Sequence, residues 1–390
     1  MGDGTSKHQP GELEQMQSLP LDIKIKMTKR RIKEWYEHWD GMVYVSFSGG
    51  KDSTVLKHIV DSMYDDIPSV FINTGLEYPE IQRFAMSQKN IVTVRPEMRF
   101  VEVLKKYGYP VISKEVALKI TETKRCPNGY ASQSFDSNSP KIQKYGSRYD
   151  LTQWKYLFEA PFNVSHRCCD VMKKKPSKMY EKQTGRKAII GTLAAESRAR
   201  QTVWEKYGCN AFEKKGRPTS QPLSFWTEQD ILHYIKKYNV PYCSVYGEIV
   251  VHDEDGYPCY VSEDYIEVFP DTKLYTTGCD RTGCVFCTFG CHRESSPNRF
   301  QRLKETHPRQ YEYCIGGGEY ITEGYAMVSS GEWKSFVFEH DDGTPFAQEE
   351  VEEFINEHKN DPRFRFERKW KPSKEGLGLW KVLDYIGVKY

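Results

Sequence analysis

Short apolar runs alternate along the first half of the chain with segments in which apolar residues return every three or four positions. Met42-Val43-Tyr44-Val45-Ser46-Phe47 is compact enough to fill a buried strand, and Gly49-Gly50 breaks it. Val55, Leu56, Ile59, Val60 and Met63 then recur with helical period. The alternation continues with Ser69-Val70-Phe71-Ile72 as a strand, a helix over residues 80–88, Ile91-Val92-Thr93-Val94 as a strand, and Lys187-Ala188-Ile189-Ile190 running into Gly191 as another. Ahead of them, Ile23, Ile25, Met27, Ile32 and Trp35 stand among charges and predict an amphipathic helix within residues 21–40. Strands alternating with helices predict an α/β fold, a doubly wound parallel sheet with helices on both faces.

The rest of the chain is less regular. Residues 1–20 read as a frayed, polar start. Residues 124–150 are poor in aliphatics and rich in Ser, Asn, Gly and Lys, the pattern of a lid or mobile loop inserted into an α/β domain. Gly247 to Val261 predicts a hairpin turning at Asp255-Gly256. Beyond about residue 315 the sheet pattern stops, residues 341–360 are acidic and predict a helix, and residues 362–371 alternate basic and aromatic side chains. The expected organisation is a helical extension over 1–40 and an α/β domain over 41–240. A segment with the hairpin and a cysteine cluster follows over 241–315, and then a C-terminal extension over 316–390.

Composition narrows the class. Hydrophobic residues at 38% and charged residues at 28% describe a globular chain with a polar surface, and a formal charge of +2 supplies no global basic field for nucleic acid. Aromatic residues reach 14%, with 26 Tyr, which core filling explains. No apolar stretch approaches the roughly 20 residues needed to span a bilayer. The start MGDGTSKHQPGELEQ lacks the apolar core of a secretion signal; its loose likeness to a myristoylation start has no second membrane signal behind it. The expectation is a cytoplasmic protein with no membrane partner. Eleven cysteines without a secretion signal point the same way, to a reducing compartment where thiols serve metals or catalysis.

The segment Ser48-Gly49-Gly50-Lys51-Asp52-Ser53 carries the clearest chemistry. A glycine pair between a strand and a helix lets backbone N–H groups approach phosphate oxygens without interference from Cβ. The positive N-terminal end of the following helix points at the same anion. Lys51 adds a full charge, and Ser48 and Ser53 add hydroxyl donors. Asp52 is out of place in a pure anion site, which suggests a magnesium-linked or helix-capping role. The pattern is not a Walker A loop, which needs glycine where Val45 stands and Ser or Thr where Asp52 stands.

SGGKDS after a buried strand resembles the pyrophosphate loop of the PP-loop ATP pyrophosphatases, whose fold is the adenine nucleotide alpha hydrolase-like one. Within them the chain is most similar to the phosphoadenosine phosphosulfate (PAPS) reductase family. Ile72-Asn73-Thr74-Gly75-Leu76-Glu77-Tyr78-Pro79-Glu80 resembles the family's strand-end Asp-Thr-Gly followed by an aromatic, Pro and Glu, with Asn73 in place of Asp. The resemblance puts Asn73, Thr74 and Gly75 near the nucleotide. Gly191-Thr192-Leu193-Ala194-Ala195-Glu196-Ser197-Arg198-Ala199-Arg200 resembles the segment whose Glu, Ser and Arg surround the substrate's phosphate or sulfate. By that likeness Glu196, Ser197, Arg198 and Arg200 bind it, Arg being suited to bidentate anion contacts. Pro222-Leu223, Trp226, Asp230 and Tyr234-Ile235 resemble the helical segment that follows. Lys51, Asp52 and Arg198 are the catalytic candidates.

Two cysteine quartets could hold a metal centre. Cys168-Cys169 can combine with Cys284 and Cys287, or the local run Cys279, Cys284, Cys287 and Cys291 can act alone. Four thiolates suit a 4Fe–4S cluster; zinc is the second choice, although the paired halves of a zinc ribbon are missing. The context Cys168-Cys169-Asp170-Val171-Met172-Lys173-Lys174-Lys175-Pro176, with Cys284-Val285-Phe286-Cys287-Thr288 later, resembles the cluster-bearing adenylylsulfate (APS) reductases of the family. That likeness favours the first quartet as ligands. Cys126, Cys209, Cys243, Cys259 and Cys314 stand apart as buried structural thiols, and His166 and His292 as surface or loop histidines. The family's reductases carry a nucleophilic Cys in a C-terminal tail, whereas no cysteine follows Cys314 here.

The first functional expectation is therefore an enzyme that binds ATP with Mg2+, splits the α–β phosphate bond and adenylylates a substrate, an iron–sulfur centre assisting sulfur transfer. The second is a reductase of PAPS or APS using another thiol, such as Cys209 or Cys314. The third is a non-catalytic nucleotide or nucleic-acid binding module, drawn from residues 362–371. The expected partners are an adenine nucleotide and a small anionic or nucleic-acid substrate, and a homodimer is compatible with the reading.

Overall fold

The computed structural model describes residues 7–9, 11–212, 217–262, 268–269, 271–316, 318–340, 342–372 and 376–390. Helices α1 (Glu12–Gln17) and α2 (Leu21–His38) lead into strand β1 (Val43–Phe47) and helix α3 (Lys51–Asp61). The pattern repeats with β2 (Ser69–Ile72), α4 (Pro79–Ser87), β3 (Ile91–Val94) and α5 (Phe100–Tyr107). After α6 (Lys114–Arg125) and α7 (Pro140–Tyr145) come α8 (Lys175–Thr184), β4 (Lys187–Ile190), α9 (Arg198–Tyr207), the short strands β5 (Asn210–Ala211) and β6 (Thr219–Ser220), and α10 (Glu228–Lys237).

One sheet joins six of these strands in the order β3-β2-β1-β4-β6-β5. All neighbours are parallel except β5, which runs antiparallel to β6. Strand β1 lies centrally and is buried almost throughout, which is why its sequence is a continuous apolar run rather than an alternation. Helix α2 turns Ile25, Thr28, Ile32 and Trp35 inward at helical spacing, and Val55, Leu56, Ile59 and Val60 of α3 join the same core. Chain order reverses between β1 and β4, where an open α/β sheet binds its ligands, outside the carboxyl ends of the strands.

A buried ion pair fixes α2 against α10. Lys24 Nζ donates to Asp230 Oδ1 at 2.8 Å, to Oδ2 at 2.7 Å and to the Gln17 carbonyl at 2.6 Å. Asp230 also accepts from the Thr227 amide and hydroxyl, closing the capping box of α10. Lys24→Met strips the countercharge from a nearly enclosed carboxylate and is expected to cost about 3–5 kcal/mol of stability. Urea unfolding measures it, and an unchanged midpoint would show that the pair contributes nothing.

The chain forms two compact units, Met1–Gly108 with His166–Cys287, and Tyr109–Ser165 with Thr288–Tyr390. Each is built from two segments, so the divisions expected at residues 40, 240 and 315 do not coincide with them. The hairpin predicted after Gly247 is present in the first unit: β7 (Ile249–His252) pairs antiparallel with β8 (Pro258–Tyr260), and β9 (Tyr275–Thr276) adds a third strand. Within residues 1–20, read as a frayed start, the described residues 7–9 and 11–20 include folded ones: α1 buries Leu13, and His8 stacks on Trp204 at 4.1 Å.

Two expectations are corrected in the second unit. Residues 124–150 are not a long loop: α7 and short 3₁₀ turns at Ser132–Phe135 and Ser147–Tyr149 fold them, with Phe135 and Ile142 buried. A few well-placed apolar side chains do the anchoring that the polar composition hid. Nor does sheet structure stop at residue 315. Strands β10 (Gly318–Met327), β11 (Trp333–Phe336) and β12 (Phe364–Pro372) form an antiparallel sheet in the order β11-β10-β12. The acidic helix is present at Gln348–His358, and its Phe354 packs on Phe336, Phe338, Phe364 and Phe366. The alternation from residue 362 onward thus reflects a strand whose rings Phe364 and Phe366 sit beneath a helix. Among the described residues, no helix is long and apolar enough to cross a membrane.

Candidate active site

The loop after β1 turns through Gly49, whose φ of 74° suits glycine, and Gly50 then caps α3. Gly50 has no side chain to occupy the amides of the first helical turn. Ser53 ties the loop down: its Oγ accepts from the Ser48 amide at 3.2 Å and donates to the Gly50 carbonyl at 2.9 Å. Gly191, at the end of β4, brings a second backbone against α3. A Cβ there would stand 3.0 Å from the Asp52 carbonyl oxygen.

Around this junction lies a cavity of ≈ 720 Å³. Ser48, Gly50, Lys51, Asp52 and Ser53 line it from the loop, and Thr192, Glu196 and Arg200 from the segment after β4. Lys173, Glu228, Tyr246, Arg281 and Thr282 complete the walls, and none of these five is singled out by the sequence as part of the loop's site. Arg281 and Thr282 sit between Cys279 and Cys284, so a basic residue inside the cysteine segment was the signal available. Tyr246 gave none.

Lys51 is buried, its ammonium paired with Glu228 Oε1 at 2.7 Å and donating to the Asp280 carbonyl. Its backbone N–H donates to the Tyr246 hydroxyl at 3.1 Å, and that oxygen also meets Thr282 Oγ1 at 2.7 Å. Burial pushes the Tyr246 phenol up to about 12, so the ring stays neutral. Glu196 is gripped by both Arg200 and Arg281. Burial raises the Asp52 carboxyl above its usual range; Lys51 and Arg281 pull it back only in part. Asp52 Oδ1 is buried and has no hydrogen-bond partner among the described residues.

Other sequence candidates lie outside the lining. Arg198 and Ser197 are exposed, and the Ser197 hydroxyl caps α9 by accepting from the Arg200 amide. Asn73, Thr74 and Gly75 form a tight turn after β2: the Gly75 amide donates to Asn73 Oδ1, and Thr74 Oγ1 donates to Glu77 Oε1 at 2.6 Å.

That turn supports the cysteines. The Val285 amide donates to the Leu76 carbonyl at 2.8 Å, which docks Cys284 and Cys287 at the end of β2. Cys168 and Cys169 stand just ahead of one π-helical turn, Asp170–Lys174, a distortion frequent at functional sites. Their sulfurs are 3.9 Å apart. The Cys168 thiol is pushed well up by its hydrogen bond to Cys169, then by burial and by the charges of Cys169, Cys287 and Cys284. Burial lifts Cys284 to about 11, Lys173 opposing and Cys287 and Cys169 adding to it. Cys169, Cys284 and Cys287 thus all act on the Cys168 thiol, and Cys169 and Cys287 act on Cys284. Burial works against the Lys173 ammonium, yet Cys284 and Glu77 outweigh it and raise its pKa. Lys173 therefore links the cysteines to the cavity it lines. Among the described residues, no three His, Cys, Asp or Glu side chains are grouped to hold a metal ion.

The model of the phosphoadenosine phosphosulfate reductase domain matches residues 42–128 and 100–289, taking in the loop, the cavity and the cysteine pairs. The chain belongs to that family. Among relatives of the PAPS reductase family, the adenosine 5'-phosphosulfate reductase of Anoxybacillus flavithermus is 24% identical over 248 residues, covering 63% of this chain and 82% of that protein. An uncharacterized protein of Methanocaldococcus jannaschii is 36% identical over 86 residues, 20% of this chain and only 21% of its own length. Among solved structures, the PAPS reductase of Candida auris in its phosphate complex shares 14% identity with a TM-score of 0.32, covering 62% of this chain and 92% of that one. The FMN adenylyltransferase of Candida glabrata shares 12% with a TM-score of 0.34, covering 67% and 78%.

Proposed function

We propose that this member of the PAPS reductase family is a magnesium-dependent ATP pyrophosphatase in sulfur metabolism, transferring an adenylyl group to an oxygen of a second substrate. Asp52 carries the reading. A buried carboxylate oxygen with no hydrogen-bond partner among the described residues stands inside a cavity otherwise built for anions, and a divalent cation held by Asp52 would be the partner that it lacks. Magnesium held by Asp52 would supply neutralisation of the polyphosphate charge. A 4Fe–4S cluster, held by Cys168, Cys169, Cys284 and Cys287, would supply sulfur or electron chemistry beside the cavity.

The chain's own part is positioning and charge. The acceptor oxygen attacks the α-phosphorus, the α–β P–O bond breaks, and pyrophosphate leaves with the electron pair. Lys51 exchanges Glu228 for the departing phosphates, the first-turn amides of α3 face the same oxygens, and Arg200 and Arg281 hold the anionic substrate. For a reductase reading, supported by the Anoxybacillus relative, Cys209 and Cys314 are poor nucleophiles: both are buried, and burial raises both thiols.

Anaerobic turnover tests the assignment. Pyrophosphate is expected from ATP with magnesium, and Asp52→Asn is expected to raise the magnesium needed for half-maximal rate by roughly tenfold to a hundredfold. Sulfite from PAPS or APS with a thiol reductant, with no pyrophosphate from ATP, would replace this reading by the reductase one.

A further inference from the structure

The second unit carries a basic and aromatic surface that the nucleotide chemistry does not use. Between residues 119 and 148 the chain has Lys119, Lys124, Arg125, Lys141, Lys144 and Arg148 against Glu122 and Asp136 alone. Folding sets three of these cations against tyrosine rings: exposed Lys144 and Arg148, and Lys141, which is buried. Tyr130 and Tyr145 are 58% and 48% exposed, although they are large rings within a folded unit. Lys141 Nζ lies 4.8 Å from the Tyr130 ring centre, and Arg148 lies 4.7 Å from that of Tyr149. The Tyr145 and Tyr149 rings meet edge to face at 6.0 Å.

Core filling does not explain these rings, because the core of the unit is made by Phe135, Ile142, Leu151 and their neighbours beneath them. Neither does simple solvation, which needs charges and not exposed aromatic faces. Rings interleaved with cations match a chain of planar groups strung on phosphates. We propose that this surface binds single-stranded nucleic acid, with Tyr130 and Tyr145 as stacking platforms and Lys144 and Arg148 as phosphate contacts. A duplex offers the phosphates but keeps its base faces stacked on one another, and an acidic protein offers the charge without the bases. The inference is independent of the reaction proposed for the first unit.

Fluorescence anisotropy on the full chain tests it, using a labelled mixed-sequence 20-nucleotide strand as DNA and as RNA, its duplex, and poly-glutamate as competitor. Single strands are expected to bind more tightly than the duplex and to resist poly-glutamate. Lys144→Ala with Arg148→Ala should flatten the plot of log affinity against log salt by about 1.4, roughly 0.7 for each phosphate no longer neutralised. Tyr130→Ala and Tyr145→Ala should each weaken binding by roughly fivefold to a hundredfold at unchanged salt slope. Tyr145→Phe keeps the ring and should keep the affinity, which separates stacking from damage to the fold. Tyrosine variants that bind like the parent would overturn the proposal, as would equal affinity for duplex, or displacement by poly-glutamate as readily as by nucleic acid.

Discussion

Protein purified without oxygen is expected to be brown, with about four iron per chain, and Cys284→Ser is expected to remove both the colour and the iron. The same loss is expected from Cys168→Ser and Cys169→Ser, because Cys169, Cys284 and Cys287 all act on the Cys168 thiol and the four belong to one compact unit. Cys279→Ser and Cys291→Ser should keep the cluster. Cys291 lies in the other unit, buried, with its sulfur donating to the Thr288 carbonyl at 3.0 Å. Iron analysis and the visible spectrum decide between the quartets. Loss of iron from the Cys279 and Cys291 variants, with Cys168 and Cys169 dispensable, would select the local run. Zinc in place of iron would make the site structural.

The phosphate loop should be equally unforgiving. Lys51→Ala is expected to weaken ATP binding at least tenfold, since a charged hydrogen bond contributes about 1.5–3 kcal/mol. Glu228 partly neutralises Lys51 in the structure, so some of the gain on binding is spent on that exchange. Lys51→Ala with Glu228→Gln should therefore bind better than Lys51→Ala alone, which leaves an uncompensated carboxylate facing the phosphates. Gly50→Val acts by shape: a bare Cβ would already sit 3.3 Å from Ser48 Oγ, Thr282 Oγ1 and the Tyr246 hydroxyl. Two further methyl groups have to displace one of these groups or fill the phosphate space. Calorimetry should show weakened binding in both single variants, and unchanged affinity in both would remove the loop from nucleotide recognition.

The first unit was legible because its signals are local. A buried parallel strand must be a continuous apolar run, and a loop that meets phosphate needs glycine, so β1 and its loop announce themselves within a dozen residues. The walls contributed by Tyr246 and Arg281 were not legible, because only tertiary structure carries them to the loop. Periodicity also failed beyond residue 315. There β10 carries Gly324, and β12 mixes Phe with Arg and Lys, so neither reads as an apolar alternation. Phe336 packs over Gly324, whose missing Cβ is what makes room for the ring, and a glycine in a strand reads as a break when its partner is unknown. Arg198 illustrates the reverse: the right residue type in a recognisable segment, with the helix register turning Arg200 into the cavity instead.

The pairing of β1 with β4 also shapes how the chain is made. Val43 finds Lys187 only after residues 109–165, which belong to the other unit, have been synthesised. Until then a strand that the finished fold buries almost throughout has β2 on one side and an open edge on the other, and an open edge recruits other chains. Non-local parallel pairing is slow to form, and partly built sheets of this kind aggregate. Ribosome-bound chains that stop short of residue 187 should accordingly depend on chaperones and stay protease-sensitive across residues 43–94, and protection should arrive abruptly once β4 has left the exit tunnel.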